Sequence, residues 1–147
     1  MKRVHVHIHV QSLEPSIAFY TRLFGQSPDL LREDYAHWSI AEPPLNLAIS
    51  DSGSRTGVSH LGIETGDKAE LGGLWEQVAE DVTLDEGRTR CCYALSDKRW
   101  AEDPDGVAWE LFHTERRLAE RSAQEQASPV TSSSPCCSPA ANNEEAR

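Results

Sequence analysis

Two stretches of the chain, residues 4–50 and 59–114, repeat the same order of apolar and polar positions. Each stretch opens with alternating apolar and polar residues, continues with apolar residues at helical spacing, and ends in short apolar runs separated by turn residues. Alternation is typical of a half-buried strand, and apolar residues three and four positions apart are typical of an amphipathic helix. Each stretch therefore predicts the order strand, helix, strand, strand, strand.

Capping and turn residues set the boundaries of these elements. The first strand covers about 4–10, and the helix after it lies between the candidate N-cap Ser12 and Gly25, which suits a helix end. The second half opens with a strand at about 59–64, followed by a helix over about 67–79. The remaining strands are predicted at about 29–33, 36–41, 45–50, 82–85, 91–96 and 107–113.

Two such βαβββ modules, over about 1–54 and 55–121, predict one α+β domain. Their sheets should join into one open, curved mixed β-barrel with the helices outside, and we expect this fold to cover residues 1–121. From residue 122 the composition changes to Ser, Pro, Ala, Asn and Glu, with almost nothing to bury. Residues 122–147 are therefore expected to form a disordered tail.

Strand periodicity assigns side chains to the two faces of this barrel, because successive strand residues point to opposite sides. The apolar strand positions are expected to pack under the helices: Val4, Val6, Ile8, Val10, Leu45, Leu47, Ile49, Leu61, Ile63, Trp109 and Leu111. This leaves four polar positions on the inner face: His5, Asn46, His60 and Glu110. Three of these four side chains can bind a metal ion.

The symmetry of the two modules favours a metal site. A single histidine is more often a surface or core residue than a ligand, but His5 and His60 occupy equivalent positions in the two modules. Two imidazoles and the carboxylate of Glu110 leave open coordination positions, an arrangement associated with ferrous iron, although zinc, manganese or nickel could also bind. Asn46 is a poor ligand and is expected to leave the fourth corner open. His7 shares the face of His5 without a partner in the second module, so we expect it to line the cavity or support a ligand.

The composition narrows the function classes. The 147 residues carry a formal net charge of -10, which should repel nucleic acid and anionic membranes. No apolar run approaches the roughly 18 residues that a membrane-spanning helix needs. The amino terminus lacks the apolar core of a secretory signal. We therefore expect a cytoplasmic protein that acts on a small molecule, as a monomer or a homodimer.

The four cysteines occur as two adjacent pairs, Cys91-Cys92 and Cys136-Cys137. Neighbouring cysteines close a disulfide only in a strained geometry, whereas two adjacent thiols suit a soft ion. The competing interpretation of Cys91-Cys92 is that of small buried strand residues. Because neighbours in a regular strand face opposite ways, joint binding by this pair predicts a loop or bulge there. The tail pair would either handle a metalloid or be two exposed thiols.

Several segments resemble the vicinal oxygen chelate superfamily, which includes glyoxalase I, extradiol dioxygenases and fosfomycin-resistance proteins. The segments that carry this resemblance are 5–13 with 16–20, and Asp103-Pro104-Asp105-Gly106 followed by Trp109-Glu110. Three further stretches resemble the subfamily of carbon-arsenic lyases and cadmium-induced proteins: 35–38 with 41–45, 60–64, and Cys91-Cys92-Tyr93-Ala94 with 97–100. The resemblance covers roughly residues 3–114.

The resemblance implies a non-haem, dioxygenase-type lyase that uses Fe(II) as its cofactor and molecular oxygen as its co-substrate. Such an enzyme cleaves the carbon-arsenic bond of trivalent organoarsenicals, for example methylarsenite, and releases arsenite, which detoxifies the organoarsenical. The implied metal ligands are His5, His60 and Glu110. The implied catalytic pair is Cys91 and Cys92, and the candidates for substrate binding are Cys91, Cys92, Tyr93 and Lys98.

Two other functions stay open at this stage. One is a stress protein that binds cadmium or arsenite through its thiols and retains the enzyme scaffold without lyase activity. The other is an enzyme of the glyoxalase or extradiol dioxygenase kind that acts on an organic substrate, with the cysteines incidental.

Overall fold

The computed structural model describes residues 1–91 and 93–118. The first module consists of β1 (Arg3–His9), α1 (Leu13–Phe24), β2 (Leu30–Arg32), β3 (Tyr35–Ile40) and β4 (Leu45–Ser50). The second consists of β5 (Gly57–Glu64), α2 (Lys68–Gln77), a 3-10 turn (Ala79–Asp81), β6 (Val82–Cys91), β7 (Ala94–Glu102) and β8 (Ala108–Arg117). The predicted βαβββ order is confirmed in both modules. Cys92 and the predicted tail with Cys136-Cys137 lie outside the described residues.

The two modules share one eight-stranded mixed sheet in the order β2-β3-β4-β1-β5-β8-β7-β6. They join where β1 and β5 pair antiparallel, and in each module the first and last strands pair parallel. The sheet curls into the open half-barrel that the sequence predicts. Within the described part of the chain, neither helix has the length and apolar composition needed to cross a membrane.

The bounds of three strands were predicted wrongly, among them β8, which continues to Arg117 instead of ending near residue 113. β6 continues to Cys91 instead of ending near residue 85, and β7 starts at Ala94 and continues to Glu102 instead of covering 91–96. These strands are rich in charged residues, which have low strand propensity, so the local sequence gives only a weak strand signal. In the folded sheet these charged side chains pair with residues on the neighbouring strand. For example, Arg99 Nε donates to Asp85 Oδ2 over 2.8 Å. The pairing partner is distant in sequence, so local pattern does not reveal it.

The helices cover the outer face of the sheet, as predicted. Under α1 the core contains Val6, Ile8, Val10, Leu13, Ile17, Tyr20, Phe24, Trp38, Leu47 and Ile49. Under α2 it contains Ile63, Leu71, Leu74, Trp75, Ala101, Trp109 and Leu111. Val4, at the start of β1, stays 47% exposed, because the cluster under α1 begins at Val6. The opposite, concave face carries mainly polar side chains.

One row of paired residues crosses the middle of the sheet and sets the layout of the concave face. Its members are Asn46 on β4, His5 on β1, Gly62 on β5, Glu110 on β8 and Trp100 on β7. Paired residues on adjacent strands share a face, so these side chains point into the half-barrel. A Cβ atom at Gly62 would collide with the backbone oxygen of Glu110. The missing side chain therefore permits the close approach of β5 and β8.

Replacing Gly62 with alanine should separate these two strands. We expect Gly62→Ala to lower the free energy of unfolding by about 1–3 kcal/mol, the usual cost of overpacking. Urea unfolding of the metal-free protein measures this change.

The matched control is Gly72→Ala in α2, where an added Cβ meets nothing within 4 Å. This variant should gain about 0.5–1 kcal/mol, because alanine is the better helix former. Equal stability of Gly62→Ala and the wild type would contradict the close approach of β5 and β8.

Candidate functional site

His5, His60 and Glu110 meet at the centre of the concave face. The Nε2 atoms of the two histidines are 3.3 Å apart, and Glu110 Oε2 lies 3.3 Å from His60 Nε2 and 3.5 Å from His5 Nε2. All three side chains are buried. Atoms separated by these distances can each lie about 2.0–2.2 Å from a single ion, the normal range for nitrogen and carboxylate ligands. The donor set therefore fits one metal ion.

The sheet register explains why these three side chains converge. His5 and Glu110 flank Gly62 in the central row, so the space between them carries no side chain. His60 lies two positions before Gly62 on the same face of β5, and its ring leans toward this space. Ser59 Oγ lies 3.1 Å from His60 Nδ1 and helps to hold the ring.

The protonation states also suit a cation. Burial lowers the pKa of His5 and outweighs the attraction of Glu110, so the ring is neutral near pH 7. Burial alone would raise the pKa of Glu110, but the Lys98 ammonium and the rings of His60 and His5 hold it well below its usual range. Metal binding needs neutral imidazole and ionised carboxylate. Glu110 and His5 are already in these states.

Lys98 is buried next to the carboxylate. Its Nζ lies 3.1 Å from Glu110 Oε1 and 3.3 Å from Glu86 Oε2, and the residue is only 2% exposed. Burial alone would lower the pKa of Lys98, but Glu110, Cys91 and Glu86 together raise it above its ordinary value. Lys98 thus holds one oxygen of Glu110 and leaves the other facing the two histidines.

His7 is an alternative third ligand. One ligand nitrogen from each of His5, His7 and His60 lies within 4.8 Å of the others. The Nε2 atom of His7, however, lies 2.9 Å from Ser50 Oγ. The set with Glu110 in place of His7 is tighter, because Glu110 Oε2 lies 3.3–3.5 Å from the two other ligand nitrogens. Glu110 also contributes a negative charge, which favours a cation. We therefore prefer Glu110 as the third ligand, with His7 as a cavity-lining residue.

Asn46 contacts three side chains next to the donor set. Its Oδ1 lies 2.9 Å from His5 Nδ1 and 3.0 Å from His37 Nε2, and its Nδ2 donates to Glu64 Oε2 over 2.8 Å. The amide thus contacts His5 on the side of the ring away from the donor set. Sequence reasoning gave Glu64 no role, although Glu64 shares the inward face of β5 with His60.

A small cavity of about 40 Å³, which has room for a few water-sized groups, opens beside the donor set. Its lining includes Glu110, Lys98, Cys91 and Tyr35. Cys91 is 7% exposed and is the last residue of β6, and it pairs with Ala94 at the start of β7. Cys91 thus belongs to the regular strand, and the irregularity that joint thiol binding predicts at the cysteine pair stays a prediction. Cys92 lies outside the described residues.

Tyr93 connects the Cys91 region to the other end of the sheet. It is buried, and its φ of 65° places it in the left-handed region that few non-glycine residues adopt. Its hydroxyl donates to Asp34 Oδ1 over 2.9 Å, and its ring lies 5.7 Å from that of Tyr35. These contacts hold the chain next to Cys91 against the turn between β2 and β3.

Removing the charge of Lys98 should expose the cost of burying Glu110. We expect Lys98→Met to lower the free energy of unfolding of metal-free protein by about 3–5 kcal/mol at pH 8. In the wild type the depressed pKa of Glu110 gives stability that is present above the unfolded pKa and lost as the pH falls through the folded pKa. In Lys98→Met, burial should raise the pKa of Glu110 above its unfolded value. The contribution of Glu110 to stability is then lost as the pH rises.

The deficit of Lys98→Met should therefore shrink between pH 8 and pH 5, as measured by urea unfolding. The control is Lys68→Met, which removes an exposed lysine paired with Asp97 and Glu115. Solvent screens that pair, so its loss should have a small effect. A Lys98→Met deficit that does not vary with pH would contradict this assignment.

Comparisons with known proteins agree with the fold. The chain is 38% identical over 152 residues to the trivalent organoarsenical cleaving enzyme of Bacillus sp. (strain MD1), covering 97% of this chain and 94% of that enzyme. It is 39% identical over 117 residues to the cadmium-induced protein CadI of Mycobacterium bovis, covering 76% of each.

A solved structure shares the fold at low sequence identity. It is a glyoxalase/bleomycin resistance protein/dioxygenase superfamily member from Vibrio splendidus 12B01, with a TM-score of 0.52 and 16% identity over 78% of this chain and 99% of that chain. The family model of the Glyoxalase/Bleomycin resistance protein/Dioxygenase superfamily matches residues 2–111. The resemblance seen in the sequence is thus confirmed, and the chain belongs to this superfamily.

Proposed function

We propose that this protein is an Fe(II)- and oxygen-dependent enzyme that cleaves the carbon-arsenic bond of trivalent organoarsenicals such as methylarsenite and releases arsenite. The observation that carries the proposal is that two members of the buried donor set, His5 and Glu110, line the same cavity as Cys91. A relative named as a trivalent organoarsenical cleaving enzyme matches nearly the whole chain, which supports this substrate class.

The metal would be held by His5 Nε2, His60 Nε2 and a Glu110 oxygen. Two imidazoles and one carboxylate form the donor set of non-haem iron oxygenases, in which positions stay open for other molecules. When bound there, ferrous iron would supply the activation of molecular oxygen. Lys98 keeps the Glu110 carboxylate oriented by holding Oε1. Burial of the site excludes bulk water and strengthens these electrostatic interactions.

The substrate would be held by thiols. A thiol displaces a hydroxyl group from trivalent arsenic, and the thiol proton and the hydroxyl group leave together as one water molecule for each arsenic-sulfur bond formed. We propose Cys91, which lines the cavity, for this role, and the resemblance implies Cys92 as the second thiol. Lys98 lines the same cavity as Cys91, and a cationic neighbour favours the thiolate form of a cysteine.

Holding arsenic through sulfur leaves its carbon substituent free to face the donor set, and such positioning supplies much of the catalysis. Thiols stay reduced in the cytoplasm, so we place the enzyme there. We propose Tyr93 as a further residue at the substrate site, where its contacts with Asp34 and Tyr35 hold the chain beside Cys91.

The direct test supplies methylarsenite and oxygen to protein loaded anaerobically with ferrous iron. We expect arsenite to appear, measured by chromatography with elemental detection, together with oxygen uptake. Cys91→Ser should lower the rate by about 100-fold or more, because the arsenical is no longer positioned. Glu110→Gln should weaken iron binding, because an amide is a poorer ligand than a carboxylate and the negative charge is lost. Ser54→Ala, away from the cavity, serves as the matched control for Cys91→Ser.

The second candidate is metalloid or cadmium sequestration, which the cadmium-induced relative favours. If the iron-loaded protein binds arsenite or cadmium stoichiometrically through thiols and never releases arsenite from methylarsenite, the lyase proposal fails and sequestration replaces it. Turnover of an organic substrate that survives in the double variant Cys91→Ser, Cys92→Ser would instead favour an enzyme of the glyoxalase or dioxygenase kind.

A further inference from the structure

We propose that Glu64, acting through Asn46, fixes the tautomer of His5 and thereby sets the affinity of the site for its metal. The inference rests on the proposed role of His5 as a metal ligand. Glu64 and Asn46 would be positioning residues, because neither takes part in the donor set. The chain of contacts runs from β5 through β4 to β1.

The first step is the orientation of the Asn46 amide. Asn46 is 2% exposed, so its polar atoms must find partners within the protein. Its Nδ2 lies 2.8 Å from Glu64 Oε2. A carboxylate oxygen only accepts hydrogen bonds, so the NH2 group of the amide must face Glu64. The amide oxygen consequently faces His5.

The second step is the proton on His5. Asn46 Oδ1 only accepts, so His5 Nδ1, 2.9 Å away, must donate to it. The backbone oxygen of Asn46, 3.2 Å from the same Nδ1, is also an acceptor. A neutral imidazole carries one ring proton, and here that proton is on Nδ1. His5 Nε2 therefore presents a lone pair to the space it shares with His60 and Glu110.

The neighbouring His37 cannot replace this control. Its Nε2 lies 3.0 Å from Asn46 Oδ1, but also 3.0 Å from Arg117 Nη2, which only donates. One nitrogen cannot donate to Asn46 and accept from Arg117 at once. Whichever partner His37 Nε2 bonds to, Asn46 Oδ1 still accepts from His5 Nδ1. The orientation of the amide is therefore coupled to the His5 ring.

Glu64 is well placed to hold the amide. Its side chain is 10% exposed, and its carboxylate oxygens lie 4.0 Å from Arg3 Nη1 and 3.9 Å from Arg117 Nη2. These two cations keep a carboxylate in the interior beside Asn46. Without an obligatory acceptor at residue 64, the Asn46 amide could turn over and offer its NH2 group to His5 Nδ1. The ring proton would then move to Nε2 and block metal binding.

The variant Glu64→Gln tests this directly, because glutamine keeps the shape but can donate as well as accept. Nitrogen-15 NMR of the histidine rings in metal-free wild type should show His5 protonated on Nδ1. In Glu64→Gln we expect a population protonated on Nε2, and a Kd for Co2+ that is higher by about 10- to 100-fold. Glu70→Gln is the control, since the carboxylate of Glu70 bonds to the amino terminus and to Gly66, away from the donor set.

The double variant Glu64→Gln, Asn46→Asp exchanges donor and acceptor. The amide introduced at position 64 can then donate to the carboxylate introduced at position 46. That carboxylate can only accept from His5, so both the tautomer and the Co2+ affinity should return toward wild type. A merely structural role would not produce this rescue.

An unchanged tautomer and affinity in Glu64→Gln, or an Nε2 proton in the wild type, would overturn the inference. Because neither readout uses an arsenical, absence of arsenite release alone would overturn only the proposed function.

Discussion

The close approach of β5 and β8 at Gly62 is the constraint on which the site depends. Gly62 pairs with His5 on one side and with Glu110 on the other, and a Cβ atom there would meet the Glu110 backbone. The absence of this one side chain brings Glu110 into line with His5 and leaves an open space between them. The joining of two similar modules at β1 and β5 then adds His60 from the equivalent position of the second module.

The concave face places several polar groups in a buried environment, and those next to the donor set have specific partners. Lys98 takes one oxygen of Glu110, and Asn46 takes the Nδ1 of His5. Neither neighbour bonds to His5 Nε2, His60 Nε2 or Glu110 Oε2, and these three atoms face one another. A cation at this point could contact all three atoms at once, with the negative charge of Glu110 beside it.

Local pattern was enough to predict much of this. Alternation and the repeat identify the order of elements and the inward faces of His5 and Glu110, because both depend on spacing within a strand. They do not reveal the partners of Lys98 or the length of β7, since these depend on pairing with residues far away in sequence. The role of Asn46 also escaped prediction. Its side chain was assessed only as a metal ligand, whereas its proposed role follows from contacts with side chains on three other strands.

Locating the metal directly would test the central claim, that His5, His60 and Glu110 form one metal site. The measurement is anomalous scattering from crystals grown anaerobically with ferrous iron. The account predicts a single ion about 2.0–2.2 Å from His5 Nε2, His60 Nε2 and one oxygen of Glu110. An ion held by His5, His7 and His60 while Glu110 stays on Lys98, or an ion bound away from this row, would contradict it.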